Sequence, residues 1–170
     1  MKAFTTTFLA LFLSSYSHPK KIDNSPVLFK VTRSKDKNQI TYSVNQDVAG
    51  NLQIANPIDI YWIKYENGPK REPLTWIQEK YAYGLTFSKK EKDIAKFKFV
   101  SYSKRELTLK KINTSEFKIL CQINGTIAEL NKVYVKINGG TFWVPKVEYV
   151  ELNGLRFSDK APVSEKIIPD

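Results

Sequence analysis

One cysteine and one histidine are all that the 170 residues contain of the side chains most used in nucleophilic and zinc chemistry. Cys121 has no partner for an intramolecular disulfide, so the fold must be held together by packing. It alternates in register with Ile119 and Ile123, which predicts a buried structural thiol. His18 lies close to the N-terminus, so the rest of the chain lacks the material for a Ser-His-Asp triad or a histidine zinc site. We assign no catalytic residue, no metal ligand and no cofactor.

No apolar segment of the sequence is long enough to form a transmembrane helix. The apolar run at residues 8–13 is far shorter than the roughly 20 residues that such a helix requires. It follows a single charge, Lys2, and precedes the small residues Ser15 and Ser17, an arrangement typical of a secretory signal peptide. We predict that residues 1–17 form a signal peptide, with a buried N-terminal strand as the alternative.

A signal peptide implies an exported protein, located in the periplasm or outside the cell. The chain is 42% hydrophobic and 13% aromatic, which is enough to build one core. We therefore expect a short N-terminal arm over residues 18–26 and a single β-rich domain over residues 27–170. Pro162 and Pro169 indicate an irregular C-terminal arm that begins near residue 155.

Apolar residues alternate with polar ones along most of the chain after residue 27. Ile40, Tyr42 and Val44 share one face, for example, and Thr41 points to the other. This period of two is typical of antiparallel strands with one face in the core. We predict an all-β fold, either an antiparallel barrel or a strongly curved sandwich of about eight or nine strands. The same pattern recurs around Phe29, Phe97, Leu107 and Val133.

One stretch departs from this alternation. The segment "IDIYWIKY" at residues 58–65 is apolar or aromatic on both faces, which predicts a strand that is covered on both sides. The residues that follow this strand indicate which element covers it. Pro73 suits the first turn of a helix, Thr75 and Gln78 have the spacing of a capping box, and Gly84 fits a helix stop. We predict one short helix over about residues 73–83, held by packing on the sheet.

The same stretch carries a family resemblance. "NPIDIYWIKYENGPKREPLTWIQEKYAYGLTF", with "VTRSKDKNQITYSVN", "SKRELTLKKI", "CQINGTIAEL", "PKVEYVELNGLRF" and "VSEKIIP", resembles the bacterial family called domain of unknown function 4833 (DUF4833). The resemblance extends from Phe29 to Pro169. It implies a bacterial source, export and a place in the cell envelope, and it brings no known activity, cofactor or catalytic residue.

The helix and its flanks are the best candidates for a site. Turns between elements leave polar groups and aromatic edges accessible, and binding residues collect there. Arg71 is placed to hold an anionic head, with Trp76, Lys80 and Tyr83 lining an apolar neighbour. The competing interpretation is that Arg71 forms an internal ion pair and that the aromatic residues pack the helix down.

The formal charge of +10 favours an anionic partner or simply a soluble basic surface. We expect no nucleic-acid partner, because alternation places Phe97 and Phe99 on the face opposite Lys96 and Lys98. The leading hypothesis is a non-catalytic envelope protein that binds a small amphipathic or anionic ligand, or a partner protein. The alternative is a carboxylate-dependent hydrolase that acts on cell-envelope glycan or lipid.

Overall fold

A computed structural model describes residues 25–114, 116–141 and 144–169 of the chain. The predicted signal peptide and most of the predicted N-terminal arm lie outside these residues. The helical part is short: α1 (Trp76–Gln78) continues directly into a π-helical turn at Glu79–Tyr83. The strands are β1 (Val27–Arg33), β2 (Gln39–Val44), β3 (Ile58–Lys64), β4 (Lys70–Pro73), β5 (Leu85–Glu91), β6 (Ile94–Phe99), β7 (Tyr102–Lys111), β8 (Phe117–Ile123), β9 (Thr126–Gly140), β10 (Pro145–Arg156) and β11 (Pro162–Ile167).

Nine strands follow one another across a single curled sheet in the order β4-β3-β2-β1-β9-β8-β7-β6-β5. Strands β10 and β11 branch from it, because β10 pairs with β9 and β11 pairs with β10. All pairs are antiparallel except β1 with β9, where residues 30–33 run parallel to residues 132–135. The predicted all-β, strongly curved fold with one short helix is confirmed, and its sheet is a mixed half-barrel.

The length of β9 explains how the sheet folds over itself. Its first residues pair with β8, its later residues pair with β1, and β10 follows its other edge. The two arms of the sheet therefore diverge from one strand and face each other. Phe99 on one arm meets Phe29 and Tyr42 on the other edge-on, with ring centroids 5.9 and 5.8 Å apart. Bulges in several pairs add to the bend, as β-bulges do.

The alternation identified in the sequence matches the core on most strands, but on β2 the other face, with Thr41 and Ser43, is buried as well. Ile40, Tyr42 and Val44 are fully buried, as are Phe97 and, on other strands, most of the residues with the same pattern. Burying apolar surface on this scale, at about 25 cal/mol per Å², is the main force that holds an all-β domain without a disulfide. The other fully buried apolar residues on the strands include Phe29, Leu109, Ile119, Ile123 and Leu130.

Two predicted details are wrong. The C-terminal arm is not irregular, because β11 forms a regular antiparallel ladder with β10 in which Pro162 stands at the first strand position and opposes Leu155. Proline is tolerated there because an edge residue can do without its N–H. Pro73 does not begin the helix: it ends β4 opposite Tyr61, and the helix starts three residues later.

The predicted capping box is confirmed. The Thr75 hydroxyl accepts a hydrogen bond from the backbone N–H of Gln78, and the Gln78 side chain accepts one from the N–H of Thr75. These two bonds satisfy donors that a helix start otherwise leaves open. None of the helices in the described residues is long and apolar enough to cross a membrane.

Candidate ligand-binding cavity

One end of the curled interior is hollow. A cavity of about 650 Å³ lies there, within the range usual for small-molecule sites. Its wall is mainly aliphatic and aromatic, and it is formed by β1, β7, β9, β10 and the helical segment. The aliphatic residues that the wall draws from β9 and β10 are Leu130, Val133, Val135, Ile137, Val147, Val150 and Leu152.

At the hollow end, the row of inward-facing apolar residues on β1 and the one on β7 each end at an arginine. On β1 the inward face runs from Phe29 and Val31, which are buried, to Arg33, which lines the cavity. On β7 the inward face runs from buried Leu107 to Arg105, which also lines the cavity. Successive side chains on a strand alternate between faces, so both arginines stand in register with core residues. Each cation is therefore directed into the interior rather than toward the outer surface.

A polar corner surrounds Arg33. Its Nη1 donates to the Tyr83 hydroxyl over 3.2 Å, and its Nη2 is ion-paired with Asp36. Its guanidinium carbon lies 5.0 Å from the centre of the Trp62 ring, a cation–π contact. The Trp62 indole N–H donates to the Gln78 side-chain oxygen over 3.2 Å. The Nε of Arg33 is buried and has no hydrogen-bond partner among the described residues.

Tyr83 is held in this corner from both sides. The hydroxyl of buried Tyr42 donates to the Tyr83 carbonyl over 2.7 Å, and the Tyr83 ring meets Trp62 edge-on at 5.6 Å. Burial raises the pKa of Tyr42 and, despite the nearby Arg33 cation, also raises the pKa of Tyr83. Both phenols therefore keep their protons at neutral pH, and the Tyr83 O–H remains a donor.

The π-helical turn places aromatic side chains beside the cavity. Its wider i to i+5 bond runs from the Gly84 N–H to the Glu79 carbonyl over 3.0 Å. A Cβ on residue 84 would lie only 2.0 Å from that carbonyl oxygen, so glycine is required for steric reasons. Tyr81 and Tyr83 both reach the cavity from this turn. π-Helical turns are rare in proteins, and those that do occur are often found at functional sites.

The second arginine at the cavity, Arg105, is fixed by an ion pair. Arg105 holds Glu165 with two parallel bonds of 2.6 and 2.8 Å and also donates to the Gln122 carbonyl. The Arg105 guanidinium holds the pKa of Glu165 below its ordinary value, helped by the backbone N–H of Asn124. A bidentate pair of this kind fixes both side chains. Glu165 therefore engages both terminal nitrogens of Arg105, whereas Asp36 pairs with one terminal nitrogen of Arg33.

The cavity offers little to catalysis. None of the described residues that line it is an aspartate or glutamate, and Asp36 and Glu165 are ion-paired with the two lining arginines. A general acid in glycoside hydrolysis needs a raised carboxyl pKa, whereas that of Glu165 is lowered. Cys121 lines the wall, and burial raises the pKa of its thiol to about 11, which keeps it protonated. The described residues contain no cluster of potential metal ligands.

Of the four residues predicted to form a site, Tyr83 lines the cavity. Arg71 lies on β4, forms an ion pair with Asp59 and stacks 3.6 Å from the centre of the Tyr61 ring. Ile77 and Tyr81 line the cavity and are also exposed, so the cavity has its mouth beside the helical segment. Trp76 and Lys80 are exposed on the same segment and do not line the cavity. The structure thus brings Tyr83 into the corner and leaves the other three outside it.

Sequence reasoning missed Arg33 and Gln78 as site residues. A signal for Arg33 was present, because it has the same strand parity as Phe29 and Val31 and should have been expected to face inward. Gln78 was recognised only as a capping residue, and its side-chain contact with Trp62 depends on how the helix docks.

A family model described as "Domain of unknown function (DUF4833)" matches residues 29–166, which is most of the chain. No curated protein and no solved structure matches the sequence.

Proposed function

The chain belongs to the DUF4833 family, and we propose that it is a non-catalytic binding protein that holds a small amphipathic ligand in the hollow end of its half-barrel. The head of the ligand carries an anionic or carbonyl oxygen and lies at Arg33 and Tyr83. Its apolar tail lies along the aliphatic wall formed by β9 and β10. We also propose that the protein is exported, on the strength of the signal-peptide pattern at residues 1–17.

The buried Nε of Arg33 is the observation that carries this proposal. A buried donor without a partner costs about 1–3 kcal/mol, and more when the group is charged. Because solvent does not reach this atom, a ligand oxygen would remove that cost by drawing the guanidinium of Arg33, which lines the cavity, toward itself. The Tyr83 O–H, which accepts from Arg33 and keeps its own proton, supplies a second donor at the same place.

The remaining wall accounts for the tail. Small-molecule sites combine a mostly apolar surface with a few placed polar groups, and the cavity has this composition. Asp36 neutralises the charge of Arg33. Among the described residues, the corner therefore has no further positive charge with which a doubly charged head could pair. A monocarboxylate or a similar singly charged head fits better than a phosphomonoester.

Retention of an added ligand tests the proposal. The purified protein is incubated with dodecanoate, a monocarboxylate with an apolar tail, and the bound fraction is measured by mass spectrometry under native conditions. The Arg33→Ala variant should bind at least about tenfold more weakly, which corresponds to about 1.4 kcal/mol.

Arg156→Ala is the matched control. Arg156 also forms an ion pair with an aspartate three residues later, Asp159, but it ends β10 beyond the residues of that strand that line the cavity. The control should bind dodecanoate as the native chain does. If the two variants bind equally well, or if the native chain binds nothing, a small-ligand function is wrong and a partner protein becomes the better interpretation.

A further inference from the structure

We propose that the mouth of the cavity docks on an anionic bilayer through a lip formed by Trp76, Ile77, Lys80 and Tyr81. This inference rests on the proposed function in one respect, since it supplies the surface from which an amphipathic ligand would be taken or to which it would be delivered. The lip itself is a separate feature, and it is tested separately below.

The lip exposes large apolar side chains that the core does not use. Trp76 is 66% exposed and Tyr81 is 61% exposed, although both lie on a helical segment that packs against the sheet. Their rings stand 6.5 Å apart, so they form one patch. Isolated exposed apolar residues are ordinary, but adjacent aromatic residues beside a cavity mark an interaction surface.

Lys80 completes a chemical type that suits a lipid interface. Its ammonium lies 5.8 Å from the Trp76 ring centre and 5.2 Å from the Tyr81 ring centre. Tryptophan and tyrosine have apolar rings with one polar end, and they concentrate at the level of lipid headgroups. Lysine beside them can extend its charge toward phosphate groups while its chain stays on the apolar surface.

The lip is continuous with the cavity. Ile77 and Tyr81 line the cavity and are also exposed to solvent. A chain that leaves the bilayer between these two residues would reach the aliphatic wall without crossing open water. This continuity distinguishes the lip from a patch that only binds another protein.

The charge of the chain selects an anionic surface over a neutral one. The lip itself is balanced, because Glu79 lies next to Lys80. The region from residue 64 to residue 118, which contains the lip, has 14 basic and 7 acidic residues, and the whole chain carries +10. Basic groups near a membrane are attracted by anionic lipids, and this attraction is weakened by salt.

Vesicle co-sedimentation tests the lip. The purified protein is mixed with vesicles of phosphatidylcholine alone, or of equal parts phosphatidylcholine and phosphatidylglycerol, and the pelleted fraction gives a partition coefficient. The native chain should pellet with the anionic vesicles and much less with the neutral ones. Raising the salt from about 0.1 M to about 1 M shortens the screening length from about 10 Å to about 3 Å and should reduce binding.

The variant carries Trp76→Ser and Tyr81→Ser together, both at exposed positions, and its fold is checked by circular dichroism. Its partition coefficient on anionic vesicles should fall at least about tenfold. Phe157→Ser is the matched control, because Phe157 is another exposed aromatic with a lysine, Lys160, 4.8 Å from its ring centre. Phe157 follows the last residue of β10 and does not line the cavity, so its loss should leave vesicle binding unchanged.

The two proposals fail in different ways. If the native chain stays in solution with both kinds of vesicle, or if the control loses as much binding as the double variant, docking through the lip is wrong even when dodecanoate is retained. A Val150→Trp variant, which narrows the cavity, should lose dodecanoate and still bind anionic vesicles. If this variant retains dodecanoate, the cavity is not the ligand site. The vesicle experiment alone then decides whether the lip binds membranes.

Discussion

Strands β1 and β7 contribute to both ends of the interior, and they place different residues at each end. At the packed end, Phe29, Phe97, Leu109 and Ile119 are almost wholly buried and fill the space between the arms of the sheet. At the hollow end, β1 and β7 present Arg33 and Arg105, and β9 and β10 present aliphatic residues around a cavity of about 650 Å³.

The difference shows that close packing and an open cavity lie at two ends of one domain rather than in separate domains. Close packing at one end supplies the dispersion and burial that a domain without disulfides needs. The other end can then remain open and can hold a charged side chain with an unsatisfied donor, a cost that a well-packed end offsets. A fold that was hollow throughout would lack this reserve.

Matched truncations at the two ends should give the largest changes in the free energy of unfolding, and these changes should differ between the ends. Leu109→Ala removes a fully buried side chain at the packed end and should lower the free energy of unfolding by about 2–5 kcal/mol. Leu152→Ala removes a buried side chain that already borders the cavity, so fewer contacts are lost and we expect less than about 2 kcal/mol. Denaturant titration measures both. Equal losses would show that the hollow end is as tightly packed as the other.

An ion pair at the hollow end should give an intermediate effect. Glu165→Gln leaves Arg105 with a weaker partner and should lower the free energy of unfolding by about 1 kcal/mol at neutral pH, since the pair remains partly open to solvent screening. The variant should also change the acid response. Because the folded pKa of Glu165 is lowered from its ordinary value of 4.5, its contribution is present above pH 4.5 and is lost as the pH falls through the folded value.

The native chain should therefore lose stability more steeply than Glu165→Gln as the pH is lowered from about 5. Thermal unfolding across this range measures the two slopes. Parallel curves for the two proteins would mean that Arg105 and Glu165 contribute nothing specific to the hollow end.

The outer face should give the smallest effect. Lys98 points away from both ends of the interior, on a strand whose inward face carries fully buried Phe97 and Ala95. Lys98→Ala should change the free energy of unfolding by no more than about 0.5 kcal/mol. A larger change in the same denaturant titration would mean that the outer face carries part of the stability assigned here to the packed end.

Local patterns in the sequence predicted the elements of the fold well. The alternation at Ile40, Tyr42 and Val44 identified a core face, and the spacing of Thr75 and Gln78 identified the start of the helix, because both depend on near neighbours in the chain. The parallel pairing of β1 with β9 joins residues about a hundred positions apart, and no local pattern encodes it. The ladder of β10 with β11 was missed because prolines flank the last strand.

The site was less accessible to sequence reasoning than the fold. Tyr83 was identified from its place at the end of the helix, but the cavity is a space that no residue pattern marks. The inward direction of Arg33 follows from strand parity, whereas the lack of a partner for its Nε depends on how other elements pack around it. Arg71 and Asp59 meet across adjacent strands; the sequence favoured an internal ion pair for Arg71, but it did not choose Asp59 over Glu66 or Glu72 as the partner.

Ligand binding at the hollow end alone can be followed in one NMR spectrum that reports on both ends. The methyl groups of valine, leucine and isoleucine are observed by NMR while dodecanoate is added to the native chain. The signals of Val135, Val150 and Leu152 at the hollow end should shift and saturate together, while those of Leu109 and Ile119 at the packed end stay in place. Shifts spread evenly over both ends, or no saturable shift at the hollow end, would contradict a ligand site built on Arg33 and Tyr83.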